Sequence, residues 1–419
     1  MNQTSSKFQK IWLHSIIFLS PIYFRGSGSE GVSFMDVFFA VYFFGSLLFW
    51  LFWTIFIQKK KIFRNVADFL LFVFYILAIG TIGLSIANGT QLLDALREYV
   101  VMFMVLYYFP FRENFEDKKD LILLGFNFSF SVLINDLGQF YDYYKGLQNG
   151  LQYAYQIVTA VRINQTIFTF TIISGILFFL YPQKTISRIW ILLVVSITSV
   201  ALITTFSRSF WLLVLVSIIF LFMVVPLKQK ILLTISVFTI SIAILFSFNF
   251  YFKDKAKIAM KVVENRLESS KQGSKDVSLQ VRLVEYNALY KRIKENPLGG
   301  NGFFKKFTFY NIIDQVTART ITVHNGYLYL LYRLGIPLTL TFLFVYFYFA
   351  FKSLKVLFML KKEELFYKFV AISGFIGLFI LIAADLASSQ FIYRDGTFVA
   401  ALSFAFIEIT YKKLNELNE

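Results

Sequence analysis

The sequence predicts an all-α, polytopic membrane protein with about twelve transmembrane helices and a long extracytoplasmic loop carrying amphipathic helices. Three observations predict it. Of 419 residues, 57% are hydrophobic and 20% aromatic, well beyond what a water-soluble domain carries. Apolar runs of roughly 17 to 25 residues recur along the chain. Basic residues gather in short clusters between those runs, the placement that anchors cytoplasmic loops.

The same distribution disposes of a nucleic-acid partner. A formal charge of +16 would suit one if it formed a continuous patch, but here it is divided among loops and fits membrane lipids instead. The chain has no cysteine, which excludes disulfides, thiolate catalysis and Cys-type metal sites. The apolar stretch after Lys10 is followed by RGSGSE and then another span, so it reads as a retained first helix and not as a cleavable signal.

In chain order the expected spans are 11–24, 32–57, 66–87, 95–111, 121–138, 166–181, 189–206, 210–226, 231–251, 325–351, 369–388 and 396–411. Placing Lys7 and Lys10 inside puts about twenty basic residues in the inner loops, against about six in the short outer ones. Both termini are then cytoplasmic, and the stretch from Phe252 to Val323 falls outside. This divides one integral domain into an N-terminal transmembrane bundle (1–251), a large periplasmic loop (252–323) and C-terminal transmembrane helices (324–419). Two outer segments are long enough to be structured. Gln139 to Gln165 is rich in tyrosine, suited either to an interfacial aromatic belt or to stacking on sugars. In the long loop, KAKIAMKVVENRLESS and VSLQVRLVEYNALYKRIKEN are separated by SSKQGSKD, and the second has apolar residues at helical spacing at Val281, Val284, Ala288, Leu289 and Ile293. Two amphipathic helices over the outer mouth of the bundle are expected.

Few residues are placed to do chemistry. His324, one of two histidines, lies where a loop meets an apolar run; the positive end of the helix dipole there favours a neutral, proton-accepting ring. Arg208 in FSRSF sits between two apolar runs with almost no loop around it, a costly place for a charge that is neither paired nor used. Asp136 and Asp385 lie in or beside spans and rank second, since an arginine such as Arg333 would neutralise either. Gly299, Gly300 and Gly302 permit a close turn, around a ligand or simply of the chain. Pro337 should kink its helix near Arg333. No phosphate-binding glycine loop, His-Glu-x-x-His or outer DxD pair is present, which favours chemistry without a metal or cofactor.

The order NPLGGNGF, then HNGYLYLLYRLGIP opening an apolar helix, resembles the C-terminal motif region of the O-antigen ligase and O-antigen polymerase superfamily. Those are integral membrane enzymes that move lipid-diphosphate-linked glycans. His324, Asn325 and Gly335 match the family's His-Asn pair and following glycine. By the same resemblance Arg208, in an SR pair, and Arg282, on the helix before NPLGGNG, hold the donor's diphosphate, with Arg162 of VRINQT matching a further arginine less specifically. Asn325, Arg333 and Gly300 stand in support. Planar guanidinium forks suit a diphosphate that gains charge as the glycosidic bond breaks.

What the resemblance implies is a bacterial inner-membrane glycosyltransferase with its site facing the periplasm. Its donor and acceptor are polyprenyl-diphosphate-linked oligosaccharides, and it works beside a flippase and a chain-length regulator. Arg333 stands where many ligases carry an acidic residue, and Leu338 where they prefer a small one. A polymerase is therefore favoured over a ligase acting on lipid A-core, with Arg162, Arg319, Arg333 and the loop lysines as extra cations for a second lipid diphosphate. The competing class is a flippase of the same lipids, which needs polar residues through both leaflets, whereas here they gather on the outer side.

Overall fold

The computed structural model describes residues 3–23, 34–148, 164–181, 184–252, 277–312, 315–359 and 365–418. Each apolar run becomes helical, because a chain in hydrocarbon must satisfy its backbone within itself. The helices are α1 (Gln3–Tyr23), α2 (Phe34–Ala40), α3 (Ser46–Phe52), α4 (Val66–Ala87), α5 (Leu92–Phe103), α6 (Tyr108–Asn114) and α7 (Lys118–Gln148). They continue with α8 (Gln165–Leu180), α9 (Thr185–Thr204), α10 (Arg208–Val224), α11 (Leu227–Phe252), α12 (Val277–Glu295), α13 (Gly326–Met359), α14 (Leu365–Ala384) and α15 (Arg394–Asn418). Single π-turns at Val41–Gly45 and Trp53–Ile57 follow α2 and α3, so the second apolar run is one interrupted rod.

Among the described residues, six segments are long and apolar enough to cross a membrane: Val37–Ile57, Val66–Ala87, Lys118–Asp142, Thr185–Thr204, Gly326–Met359 and Leu365–Ala384. Helices α8 and α10 are apolar but shorter. At 16 residues α8 is about 24 Å long, below the thickness of a hydrocarbon core. The fourth apolar stretch is broken between α5 and α6 by a 3₁₀ turn at Met104–Tyr107 and follows or holds Asp94, Arg97 and Glu98.

Cross-links between the helices sort the polar groups to two ends. One end holds Lys10–Asp120, Arg64–Glu113, Lys412–Glu116 and the buried pair of Arg112 with Asp68. Asn65 caps α4 there, accepting the Asp68 amide at 2.9 Å while its own amide group donates to Glu408 of α15. At the other end α4 finishes at Asn88, whose side chain donates to the Asn301 carbonyl at 3.0 Å. The carbonyl of Asp385, just after α14, accepts the Gly326 amide that opens α13 at 2.8 Å. Thr166 of α8 donates to Gln390 at 2.6 Å. Of the residues singled out by sequence, Gly300, Gly302, His324 and Asp385 lie at this second end.

One expectation is corrected here. The chain is not purely α: β1 (Phe307–Asn311) and β2 (Val316–Thr320) form an antiparallel hairpin between α12 and α13. Phe307 and Phe309 alternate inward while Thr308, Tyr310, Thr317 and Arg319 are exposed, the period of two that a half-buried strand requires. The amphipathic helix read in VSLQVRLVEYNALYKRIKEN is α12, buried along Glu285, Leu289 and Ile293. Its counterpart in KAKIAMKVVENRLESS lies outside the described residues, as does 149–163 of the tyrosine-rich segment; α7 runs on to Gln148 before it.

Candidate active site

Helix α13 is broken a short way in. Gly335 takes φ 74° and ψ 177°, which only glycine tolerates easily, and Pro337 follows two residues later with no amide hydrogen to give. The kink expected near Arg333 is therefore present, and it frees backbone groups that must find partners inside the protein. The segment from Asn296 to Gly302 supplies them. The Asn301 amide donates to the Tyr332 carbonyl at 2.8 Å, the Gly302 amide to the Arg333 carbonyl at 3.1 Å, and the freed Ile336 amide to the Pro297 carbonyl at 2.7 Å. A Cβ on Gly300 would lie 2.4 Å from the Arg333 carbonyl oxygen, and one on Gly302 would lie 2.6 Å from Ser85 Oγ. Of the two readings of these glycines, close chain packing accounts for Gly300 and Gly302; neither faces open space.

Arg333 is likewise turned inward, correcting its expected place among the outer-face cations. Its side chain is buried, with Nε 3.3 Å from Glu98 Oε1. One terminal nitrogen donates to the Lys305 carbonyl and the other to the Ile321 carbonyl at 3.1 Å. The guanidinium also lies over the rings of Tyr329 and Tyr332, at 4.7 and 5.2 Å. Lys305 precedes β1 and Ile321 follows β2, so Arg333 ties both feet of the hairpin to the membrane helix. Neither Asp136 nor Asp385 is neutralised by it. Asp136 accepts from Thr198 of α9 at 2.7 Å, and Asp385 accepts the Phe391 amide at 3.1 Å.

His324 stands at the mouth of α13, as expected, and is held from several sides. Asn325 is the N-cap: its Oδ1 accepts the Leu328 amide at 2.9 Å, and its side-chain amide donates to the Leu386 carbonyl at 3.3 Å. The Ser389 hydroxyl donates to the Val323 carbonyl, and Tyr286 to the His324 carbonyl at 3.0 Å. A Cβ on Gly326 would lie 1.6 Å from Asp385 Oδ1, so the opening of α13 fits flush against the end of α14.

Sequence reasoning missed Glu285. Its carboxylate, on α12, takes the His324 backbone amide on Oε1 at 2.7 Å and faces the ring Nδ1 with Oε2 at 2.8 Å. The Glu285 side chain is 1% exposed and that of His324 is 45% exposed. The imidazole is thus fastened at one nitrogen and open at its other edge; among the described residues Nε2 has no hydrogen-bond partner. The helix dipole alone entered the sequence argument; the group that faces the ring comes from α12.

Arg282 lies one turn before Glu285 and Tyr286 on α12, half-buried on the same helix face. Burial pushes the Tyr286 phenol above its ordinary range, and the nearby Arg282 charge opposes that shift. Arg208 is the first residue of α10, just after Ser207 and a left-handed Phe206. Helix α10 packs against α14, whose end carries Asp385 and the opening of α13. Arg162 lies outside the described residues. No group of three or more His, Asp or Glu that could hold a metal occurs among the described residues.

Residues 191–343 match the O-antigen ligase family model. That match supports the O-antigen ligase and polymerase superfamily for this chain. The matched O-antigen ligase segment begins in α9 and ends in α13, taking in Arg208, Arg282, Glu285, the Asn296–Gly302 clamp, the hairpin and His324. Arg162 precedes it. No curated protein matches the chain. The matched segment sits on a scaffold in which, among the described residues, six helices are long and apolar enough to cross a membrane.

Proposed function

We propose that this enzyme transfers an oligosaccharide from a polyprenyl diphosphate, in the manner of an O-antigen polymerase, on the periplasmic side of a bacterial inner membrane. The observation that carries the reading is His324, backed by Glu285 and open at Nε2, at the mouth of a membrane helix one turn of α12 from Arg282. Nε2 takes the proton of an acceptor hydroxyl as its oxygen attacks the donor's anomeric carbon. The bond from that carbon to the diphosphate oxygen breaks, and its electron pair leaves with the lipid diphosphate. Arg208 and Arg282, with Arg162 in support, meet the growing negative charge. No step calls for a metal or cofactor. In this reading α12 and the hairpin, the described part of the 252–323 region, lie over the outer mouth of a bundle built from the 1–251 and 324–419 regions.

The ligase reading shares this chemistry and differs only in acceptor. It gains ground from the buried Arg333, which removes one of the outer cations that argued for two lipid diphosphates; Arg319, exposed on β2, and the lysines of α12 remain. Purified enzyme given only lipid-linked repeat units should build a ladder of longer lipid-linked glycans, and His324→Ala should abolish it while His14→Ala leaves it intact. Transfer that begins only when lipid A-core is added would replace polymerase with ligase. Full activity in the His324 variant would remove the base.

A further inference from the structure

We propose that Glu285 is a positioning residue that fixes the tautomer of His324, so that the ring presents a proton-accepting Nε2 to the acceptor hydroxyl. This rests on the reading of His324 as the base. The geometry distinguishes the two carboxylate oxygens. Oε1 accepts the His324 backbone N–H at 2.7 Å, a donor that cannot reverse, and Oε2 lies 2.8 Å from Nδ1. An ionised carboxylate only accepts, so the hydrogen of a neutral ring must sit on Nδ1 and the lone pair on Nε2. The alternative tautomer would set two acceptors against each other in a site where Glu285 is 1% exposed and has no water to turn to.

The backbone around the ring leaves little freedom to escape this. Tyr286 holds the His324 carbonyl, Ser389 holds the Val323 carbonyl, and Asn325 caps the helix that follows. One acidic side chain on a basic helix thereby sets the direction of proton transfer 39 residues further along the chain. The effect needs no change in the charge of the site, only the identity of the group facing Nδ1.

The substitution Glu285→Gln tests this without removing the staple between α12 and His324. The amide oxygen must face the fixed backbone N–H, which turns the amide NH₂ toward Nδ1. A donor there forces the hydrogen onto Nε2, and the base is lost though its position is kept. With lipid-linked oligosaccharides extracted from membranes as substrate, kcat should fall about 10³- to 10⁴-fold, while KM for the donor moves less than about threefold. Glu285→Asp, shorter by one methylene but still a carboxylate, should recover part of the rate.

Nitrogen NMR on histidine-labelled protein reads the tautomer directly. The chain has only two histidines, and His14→Gln leaves the His324 signals alone. Nε2 should be the unprotonated nitrogen in the parent and Nδ1 in Glu285→Gln. Parent-like kcat in Glu285→Gln overturns the proposal, and so does a loss of rate with unchanged ring signals, which would make Glu285 a structural staple only. If His324→Ala itself keeps full activity, the base reading fails separately, and the NMR result still decides whether the pair fixes a tautomer.

Discussion

The Gly302 amide donates to the carbonyl of Arg333, the one acceptor in α13 that Pro337, four residues on, cannot serve. With the reciprocal bond from Ile336 to Pro297, it makes the NPLGGNG segment and the LGIP break two halves of one joint. Gly300→Ala should therefore disrupt the joint, since its φ is +70° and the new methyl would meet backbone at 2.4 Å. A loss of about 2 kcal/mol or more is expected, read as a lower thermal unfolding midpoint in detergent. Gly80→Ala, with nothing within 4 Å of the new Cβ, is the control. Equal midpoints for both variants would contradict the joint.

Arg333 and Glu98 form a buried pair from α13 to α5. Arg333→Met should cost about 3–5 kcal/mol, because it leaves a carboxylate and two hairpin carbonyls without their cation. Glu98→Gln combined with Arg333→Met should be less damaging than the two single changes summed. Additive losses would mean that the two side chains do not act together.

Arginine forks and lysine charges separate recognition of a diphosphate from simple attraction. Arg208→Lys and Arg282→Lys should each lower transfer clearly, and alanine at either position should lower it further. If both lysine variants bind and turn over the lipid-linked donor normally, these arginines do not hold its diphosphate.

Orientation is open to a clean test because the chain lacks cysteine. Single cysteines at Thr317, exposed on β2, and Lys119, exposed at the start of α7, should react with a membrane-impermeant thiol reagent from opposite sides. Labelling of both from one side would refute the outward placement of the hairpin.

The sequence showed the membrane class, the place of His324 and the amphipathic α12, since each rests on local spacing or composition. Glu285 was hidden because a single acid among basic neighbours on an exposed-looking helix has no local mark; its meaning arises only when α12 packs against a loop 39 residues away. The partnership of Glu98 with Arg333 spans still more of the chain, so Arg333 read as an available cation. The hairpin's alternation was present in FTFYN and VTART, but each run is only five residues long and no Asn-Gly or Asp-Gly turn joins them. The glycines were visible, and their ambiguity between ligand and packing was resolved only by the carbonyls they touch.

The pairing of Asp68 with Arg112 also bears on how the protein is made. Asp68 enters near the start of α4, and its partner is synthesised 44 residues later, at the end of the returning α5–α6 stretch. A span that entered the bilayer alone would carry an unmatched charge at its foot, at a cost of order 2.5–3.5 kcal/mol if drawn to the centre. Once Arg112 has followed, the carboxylate has its partner, and the Tyr108 hydroxyl donates to the same group at 2.8 Å. Insertion of α4 is thereby coupled to the arrival of a residue 44 positions further along the chain.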